Sequence, residues 1–400
     1  MFARKSIKTM YHLLSVLTAL ILLLAAVGCQ PEPTPQPTKT EAPAVKTEAP
    51  VAQTEAPAAS EAPALEATQA PATVGASDLP AAFADPSKKV RVALVRKVGE
   101  GGFMERYLAG AQSMADELGL ELVESNARGD DAKMVTAIET AIQQKMDAII
   151  VDHGQTDTVQ SVIEQAMAAG IKVLTFDTVI NNPAVPEIEQ DDLLIGFMLS
   201  KALATAYAGQ AKVIYVNVGG YAPLDKRDRM WEDFKWRYAG LEEVAKTGAV
   251  TDNTAADTQT RVEAVLKENP DAQVAIAMWD EFAKGTVRAI LGAGKSDQVK
   301  VYSVDITNED IAMMTDAGSP WVATVATDSY SVGRLAVRTA AAMVGGEPVA
   351  KYLQVAPSLI TQEFLLSNKI TNMDELVAAL PALGESPLVW PGWICSLVNK

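Results

Sequence analysis

Residues 172–177 read KVLTFD, and residues 300–305 read KVYSVD. In each stretch a short run of mostly apolar residues gives way to an aspartate, and Asp152 and Asp280 close similar runs 25 residues earlier. A buried strand that ends at a loop and is followed by a helix is typical of a parallel sheet with helical connections. Because two such aspartate-ended runs, 25 residues apart, occur twice in the chain, the sequence predicts two lobes of similar build.

Short β-branched runs alternate with helical patterns along the whole folded part, where apolar residues recur every three or four positions. The predicted strands are Val90–Val95, Leu120–Glu124, Ala148–Asp152, Lys172–Phe176, Lys212–Val216, Val274–Met278, Lys300–Val304 and Trp321–Thr327. Predicted helices include Phe103–Leu118, Met134–Lys145, Val159–Ala168, Leu193–Ala208, Arg261–Asn269 and Phe282–Leu291. This order requires right-handed crossovers and parallel sheets covered on both faces. The predicted fold class is α/β, with two doubly wound lobes.

The composition indicates a protein with a hydrophobic core, because 48% of the 400 residues are hydrophobic and 21% are charged. The formal net charge of −16, without any basic block, argues against a nucleic-acid partner. Two histidines, His12 and His153, and two cysteines, Cys29 and Cys395, are too few for a multi-histidine metal site or a disulfide scaffold. We therefore expect no metal and no cofactor.

The N-terminus has the pattern of an export signal. A basic start is followed by an apolar run from Leu13 to Val27, which is short for a membrane span. Residues 26–30 read AVGCQ and resemble a bacterial lipoprotein box, in which the cysteine is acylated and becomes the mature N-terminus. The resemblance implies a signal peptide over residues 1–28 and an extracytoplasmic protein that a lipid on Cys29 anchors to the cell membrane. An ordinary signal peptide with a chance cysteine is the alternative.

The next stretch, residues 29–87, is rich in proline, alanine, threonine and glutamate. A T-E-A-P repeat occurs at residues 40–43, 47–50 and 54–57. Proline at this density interrupts helices and sheets, and no apolar face offsets the entropy of ordering the chain. The sequence therefore predicts an extended, disordered spacer between the lipid anchor and a folded part that begins near Lys88.

Six segments of the folded part carry a family resemblance. They are Val92–Val95 (leading into Phe103), Ala109–Gln112, Leu174–Asp177, Trp279–Glu281, Val301–Asp305 and Ala323–Ala326. In their order and spacing they resemble the type I periplasmic sugar-binding proteins, the ribose-binding group of ABC-transporter receptors, over Lys88–Leu366. The resemblance implies two doubly wound lobes that close on a sugar through a hinge of three crossings. These crossings are expected near Gln190, Thr327 and Ala356.

The resemblance also divides the folded chain into lobes. The N-terminal lobe is expected to consist of residues 88–190 and 328–355. The C-terminal lobe is expected to consist of residues 191–327 and 356–400.

A ligand is expected at the carboxyl ends of the strands, where open α/β sheets bind ligands. Two lobes that face each other with those ends bring Asp177 and Asp305 to one cleft. The resemblance implies ligand contacts at Lys97, Phe103, Asp177, Arg229, Trp279, Asp305 and Thr327. Carboxylates accept hydrogen bonds from sugar hydroxyls, arginine donates them, and aromatic rings cover the apolar face of a sugar.

Some positions depart from the ribose-binding pattern. That pattern has a second aromatic residue where this chain has Met104, an asparagine where it has Trp279 and a glutamine where it has Thr327. We therefore expect a monosaccharide other than ribose, a deoxy-sugar or a polyol.

The candidate residues also have structural alternatives. Asp177 and Asp305 can instead cap the helices that follow them. Arg229 lies in a charged run and can face solvent, while Trp279 can belong to the core. His153 follows a strand, and the sequence leaves open whether it lies in the cleft.

The sequence lacks the motifs of an enzyme of this architecture. Residues 99–102 read GEGG after a strand, but Met104 stands where a dinucleotide-binding fingerprint has its last glycine, and no Gly-x-Ser-x-Gly elbow occurs. We expect a monomeric receptor that captures a small sugar or polyol and delivers it to the permease of an ABC importer. A sugar sensor of the same fold that signals to a membrane kinase or chemoreceptor is an alternative, as is an extracytoplasmic enzyme.

Overall fold

A computed structural model of the chain describes residues 79–398. The predicted signal peptide, the predicted lipidation site Cys29 and most of the predicted spacer lie outside the described residues. Among residues 79–398, none of the helices combines the length and the apolar character that crossing a membrane requires.

The strands of the described chain form two sheets of six strands each. In chain order they are β1 (Arg91–Arg96), β2 (Glu121–Asn126), β3 (Ala148–Asp152), β4 (Lys172–Phe176), β5 (Glu187–Glu189), β6 (Gln210–Val216), β7 (Gly240–Thr247), β8 (Val274–Ala277), β9 (Lys300–Val304), β10 (Trp321–Ala326), β11 (Tyr352–Gln354) and β12 (Ser358–Thr361). The first sheet has the order β11-β5-β4-β3-β1-β2, and the second has the order β12-β10-β9-β8-β6-β7. The strands run parallel except at the edge, where β12 pairs antiparallel with β10.

Helices connect most successive strands and cover the faces of the sheets. They are α1 (Gly102–Leu118), α2 (Asp131–Gln143), α3 (Thr156–Ala168), α4 (Asp192–Ala206), α5 (Ala222–Arg237), α6 (Thr254–Glu268), α7 (Asp280–Gly292), α8 (Asn308–Thr315), α9 (Ser329–Val344), α10 (Gln362–Ser367), α11 (Met373–Ala379) and α12 (Gly392–Val398). The prediction of two doubly wound, parallel-sheet lobes is confirmed. The interior strands are buried on both faces, which explains why they read as continuous apolar runs.

Three connections join the two sheets. The chain passes from β5 to α4 through Gln190, from β10 to α9 through Thr327, and from β11 to β12 through residues 355–357. Each lobe is therefore assembled from separated parts of the sequence. The predicted crossing near Ala356 lies within the third connection.

The beginning of the fold differs from the prediction. The sequence predicts a spacer that extends to residue 87, whereas Ala81–Phe83 forms a short 3-10 turn. The ring of Phe83 packs on Trp393 with a distance of 4.6 Å between the ring centroids. Apolar contacts therefore attach the chain to the folded part several residues before Lys88.

The end of the chain also differs from the prediction, which assigns residues 356–400 to the C-terminal lobe. The part after residue 380 instead returns to the first lobe, where Arg338 of α9 is fully buried. Its guanidinium donates to the carbonyl oxygens of Val389 (2.9 Å) and Leu388 (2.9 Å). Cζ of the same guanidinium lies 4.0 Å from the centroid of the Trp390 ring. Backbone carbonyls of an irregular segment thus find their donors on the first lobe.

Helices α1 and α9 approach each other backbone to backbone. A Cβ atom on Gly110 would lie 2.0 Å from the carbonyl oxygen of Tyr330, and one on Gly333 would lie 2.0 Å from the carbonyl oxygen of Tyr107. Both neighbours are backbone carbonyl oxygens, which cannot move away by a change of rotamer as the end of a side chain can. The two glycines therefore allow the first helix of the fold to pack against the helix that follows the second crossing.

We predict that Gly110→Ala and Gly333→Ala each lower the free energy of unfolding by about 1–3 kcal/mol, because the added methyl overpacks a closed contact. Gly292→Ala is the matched control at the end of α7, where an added Cβ meets nothing within 4 Å. It should leave stability unchanged or raise it by up to about 1 kcal/mol, since alanine is the better helix former. Urea unfolding followed by circular dichroism measures the difference, and equal stabilities for all three variants would contradict the close approach.

Candidate ligand-binding site

A cavity lies between the two lobes. Phe103 and Met104 reach it from the first turn of α1, and Trp279 and Asp305 reach it from the carboxyl ends of β8 and β9. Further lining residues come from the first lobe, the first hinge crossing and the second lobe: Val98, His153, Gln190, Tyr221, Pro223, Leu224, Arg227 and Val250. The cavity stands at the end of the sheets where α/β folds bind ligands.

The lobes are closed over this cavity. Phe103 is 2% exposed, Trp279 9% and Asp305 2%, although they come from different lobes. At the rim, Gln155 of the first lobe donates from Nε2 to the carbonyl oxygen of Gly220 in the second lobe, at 3.1 Å. A ligand in the cavity would therefore be enclosed by both lobes.

Asp177 and Asp305 occupy equivalent places at the ends of β4 and β9. Both adopt the left-handed backbone conformation, with φ of 48° and 72°, which is strained for a residue other than glycine. Neither caps a helix: Thr307 caps α8, and Asp191 caps α4, which is the next described helix after Asp177. The helix-cap alternative therefore does not account for them.

The oxygens of these carboxylates lack protein donors. Both oxygens of Asp177 and Oδ1 of Asp305 are buried without a hydrogen-bond partner among the described residues. Burial raises the pKa of Asp305 to about 7, although the nearby Arg227 acts in the opposite direction. Burial and the neighbouring Asp192 carboxylate likewise raise the pKa of Asp177. A buried carboxylate without donors is costly, and a ligand with several hydroxyl groups would satisfy it.

The arginine that reaches the cavity is Arg227. It is buried, and its guanidinium is fixed by Asp192 Oδ1, 2.9 Å from Nε, and by the carbonyl oxygen of Met278, 2.7 Å from Nη1. The predicted contact Arg229 is exposed and lies outside the cavity, in a surface groove beside Asp157.

Helical spacing explains the difference between the two arginines. The buried positions of α5 include Leu224, Arg227, Trp231 and Phe234, which follow one another at steps of three and four residues. Arg227 continues this apolar stripe, whereas Arg229 projects from another side of the helix. The stripe was the sequence signal that could have identified Arg227.

His153 lies in the cavity wall, which the sequence left open. Its Nδ1 is bonded to Oδ1 of Asp152, and its Nε2 lies 3.6 Å from Oδ2 of Asp177. The ring stands edge-on to Phe176, with 5.2 Å between the ring centroids. Burial disfavours the charged imidazole, but the Asp152 and Asp177 carboxylates outweigh it and raise the pKa of His153 to about 8.

Three further predicted contacts, Lys97, Asp177 and Thr327, are not among the residues that line the cavity. Lys97 is buried, and its ammonium group is paired with Asp131 at the beginning of α2. Thr327 donates from Oγ1 to Oε1 of Gln190, at 2.7 Å, and so connects two of the hinge crossings. Gln190, by contrast, does line the cavity.

The cavity wall is otherwise apolar. Phe103, Met104 and Trp279 are its largest apolar members, joined by Val98, Pro223, Leu224 and Val250. The indole of Trp279 is held edge-on by the Phe282 ring, with 5.5 Å between the centroids. The cavity thus combines a few charged groups with an extensive apolar lining, the composition of a site for a small, partly polar molecule.

Comparison with known proteins agrees with this geometry. Residues 92–348 match the model of a family described as periplasmic binding protein domain, which covers more than half of the chain. The chain belongs to this family. The predicted type I periplasmic sugar-binding protein of an ABC transporter is confirmed, and family membership indicates an extracytoplasmic location.

Individual relatives are similar over most of the folded part. The 5-methylthioribose transporter solute binding protein of Thermotoga lettingae, solved in complex with 5-methylthioribose, is 66% identical; the match covers 78% of this chain and 99% of that chain, with a TM-score of 0.77. A sugar ABC transporter structure from Yersinia enterocolitica is 28% identical, with coverage of 80% and 98% and a TM-score of 0.78. The ribose import binding protein of Bacillus subtilis is 26% identical over 254 residues, which are 64% of this chain and 81% of that protein. These relatives are components of transporters, which confirms the expectation that the chain is not an enzyme.

We predict that the closed, ligand-free arrangement loses stability as the pH rises from 5.5 to 8. The folded pKa of about 8 for His153 and about 7 for Asp305 exceed the unfolded values of about 6.5 and 3.9. The folded chain therefore holds more protons in this range, and stability falls as the pH rises through each folded pKa, by roughly 4 kcal/mol in total.

Urea unfolding at several pH values from 5.5 to 8 measures this change. His153→Gln should flatten the fall between pH 6.5 and 8, and Asp305→Asn should flatten it below pH 7. Asp157→Asn, at an exposed carboxylate, is the control and should leave the profile unchanged. A stability that is constant or rises with pH in the parent protein would show that these groups are not protonated as described.

Proposed function

We propose that the protein captures 5-methylthioribose, or a closely related pentose with an apolar group on carbon 5, and delivers it to an ABC importer. The observation that carries the proposal is the composition of the cavity wall. The buried Oδ1 of Asp305, which has no protein donor, is combined there with a lining dominated by Phe103, Met104 and Trp279. Oδ2 of Asp177, also without a protein donor, lies 3.6 Å from Nε2 of the lining residue His153.

The charged groups suit the hydroxyls of the pentose. Asp177 and Asp305 would accept hydrogen bonds from them, and Arg227 and His153 would donate to sugar oxygens. Hydrogen bonds to charged groups contribute about 1.5–3 kcal/mol each. Because Asp192 and Asp152 fix the two donors, little conformational entropy is lost when the sugar binds.

The apolar lining suits the methylthio group. A thioether packs favourably against aromatic rings and against the flexible, polarisable side chain of a methionine such as Met104. The 5-hydroxyl of ribose in the same surroundings would lose its water partners at a cost of about 1–3 kcal/mol. The departures from the ribose-binding pattern at Met104 and Trp279, and the 66% identity to a protein solved with 5-methylthioribose, support this assignment.

Binding is coupled to closure of the lobes. The wall groups come from both lobes, so a ligand stabilises the closed arrangement over an open one by the contacts that only closure completes. The protein acts as a monomer, and the permease of the importer recognises the closed form. A lipid on Cys29 and the proline-rich spacer hold the binding protein at the membrane surface where the importer lies.

Titration calorimetry with 5-methylthioribose and ribose tests the ligand. We expect the parent protein to bind 5-methylthioribose at least about tenfold more tightly, the discrimination that a buried apolar group typically provides. Trp279→Asn should weaken 5-methylthioribose binding by about 10–100-fold and ribose binding by less, because it removes apolar lining. Trp236→Asn, at a tryptophan that is 82% exposed, is the matched control. Ribose binding as tight as that of 5-methylthioribose would refute the assignment.

Cell fractionation tests the anchor. The full chain should be found in the membrane fraction, and Cys29→Ser should either appear in the soluble fraction or accumulate as the unprocessed precursor. Cys395→Ser, at the cysteine of the folded part, should remain with the membrane. If Cys29→Ser also sediments with the membrane as a processed protein, the proposed lipid anchor is wrong.

A further inference from the structure

The glycine pair Gly101–Gly102 lies where the first lobe touches the second. A Cβ atom on Gly102 would lie 2.9 Å from Cγ2 of Thr307 and 3.1 Å from its Oγ1, and one on Gly101 would lie 3.0 Å from Cγ of Glu281. Thr307 and Glu281 both belong to the second lobe, at the beginnings of α8 and α7. The two lobes therefore make van der Waals contact at a point where the first lobe has only backbone.

The side chain of Thr307 is held in place by its own lobe. Its hydroxyl accepts from the backbone N–H of Asp310, at 3.4 Å, and donates to Oδ2 of the same residue, at 2.8 Å. These bonds cap α8, and Asp310 is itself buried. The methyl group of Thr307 cannot turn away from Gly102 without loss of the cap.

In each lobe, the residue that makes this contact is a sequence neighbour of residues that line the cavity. Gly102 directly precedes Phe103 and Met104, and Thr307 follows Asp305 by two residues. The separation of the lobes at this point consequently sets the separation between the aromatic wall from α1 and the carboxylate at the end of β9.

We propose that Gly102 is a positioning residue for ligand binding. The absence of a side chain at this position lets Thr307 approach the beginning of α1, so that Phe103, Met104 and Asp305 contact the same small ligand. The proposal rests on the proposed function, because a pentose is small enough to require the closed cavity.

The proposed role predicts an effect on closure without an effect on folding. A methyl group on residue 102 meets Thr307 only when the lobes are closed and would face the cleft when they are open. Gly102 also has no positive φ, unlike Gly101 with φ of 94°, so alanine is compatible with its backbone. This position thus differs from Gly110, where the conflict lies within one lobe.

Calorimetry with 5-methylthioribose on Gly102→Ala and Gly102→Val tests the proposal. We expect binding to weaken by about tenfold and about a hundredfold, because closure now overpacks the contact. The thermal midpoint of the ligand-free variants should stay within about 2 °C of the parent. Small-angle scattering at saturating ligand should give a larger radius of gyration for Gly102→Val than for the parent.

A compensating change in the other lobe makes the test specific. Thr307→Ser keeps the capping hydroxyl and removes the Cγ2 methyl group, the nearest atom that a Cβ on residue 102 would meet, while Oγ1 remains at 3.1 Å. The double variant should bind more tightly than Gly102→Ala alone, because one of the close contacts is removed, and Thr307→Ser alone should bind as the parent does. Gly292→Ala, at a helical glycine with open space around its Cβ position, is the control for a general effect of the substitution.

Two results would overturn the proposal: unchanged affinity in both Gly102 variants, or a weakened affinity of Gly102→Ala that Thr307→Ser does not improve. Failure of the proposed function is distinguishable from either, because it appears in the parent protein as a lack of preference for 5-methylthioribose over ribose. In that case the same variants are compared with whichever pentose the parent binds more tightly.

Discussion

The burial of carboxylates that the protein itself does not satisfy is the constraint on which the rest of the structure depends. Asp177 and Asp305 stand at the ends of interior strands, away from water, with oxygens that receive no donor from the described chain. Removing such groups from water costs several kcal/mol each. Arg227 and His153 offset part of this cost, and a guest rich in hydroxyl groups can offset the remainder. The unliganded closed form is therefore less stable than it would be with such a guest.

The sequence was sufficient for the strands that determine the fold. Ala148–Asp152, Lys172–Phe176 and Lys300–Val304 coincide with the observed strands, because burial on both faces leaves a continuous apolar run in the sequence. Strand β7 was not predicted, since it lies at a sheet edge, carries charged residues and is mostly accessible. The return of the last residues to the first lobe has no periodic signal, because it depends on carbonyl groups that meet Arg338.

The site could be predicted where it depends on strand ends and not where it depends on helix rotation or backbone strain. The structure brings Phe103, Trp279 and Asp305 to one cavity, as an arrangement of facing strand ends requires. The arginine differs by two residues, because charge alone does not indicate which face of a helix is buried. His153 enters the wall through a left-handed backbone conformation with φ of 57°, which no spacing rule indicates.

Both ends of the described chain lie on the same lobe. Phe83 near its beginning packs on Trp393 near its end, and α12 packs against α1 of the first lobe. The segment that precedes residue 79 is thus joined to the first lobe, and the second lobe is connected only through the hinge. If the N-terminal segment is tethered to a membrane, the first lobe is the stationary part and the second lobe is the part that swings. Closure on a ligand then moves the second lobe and does not require the tethered segment to move.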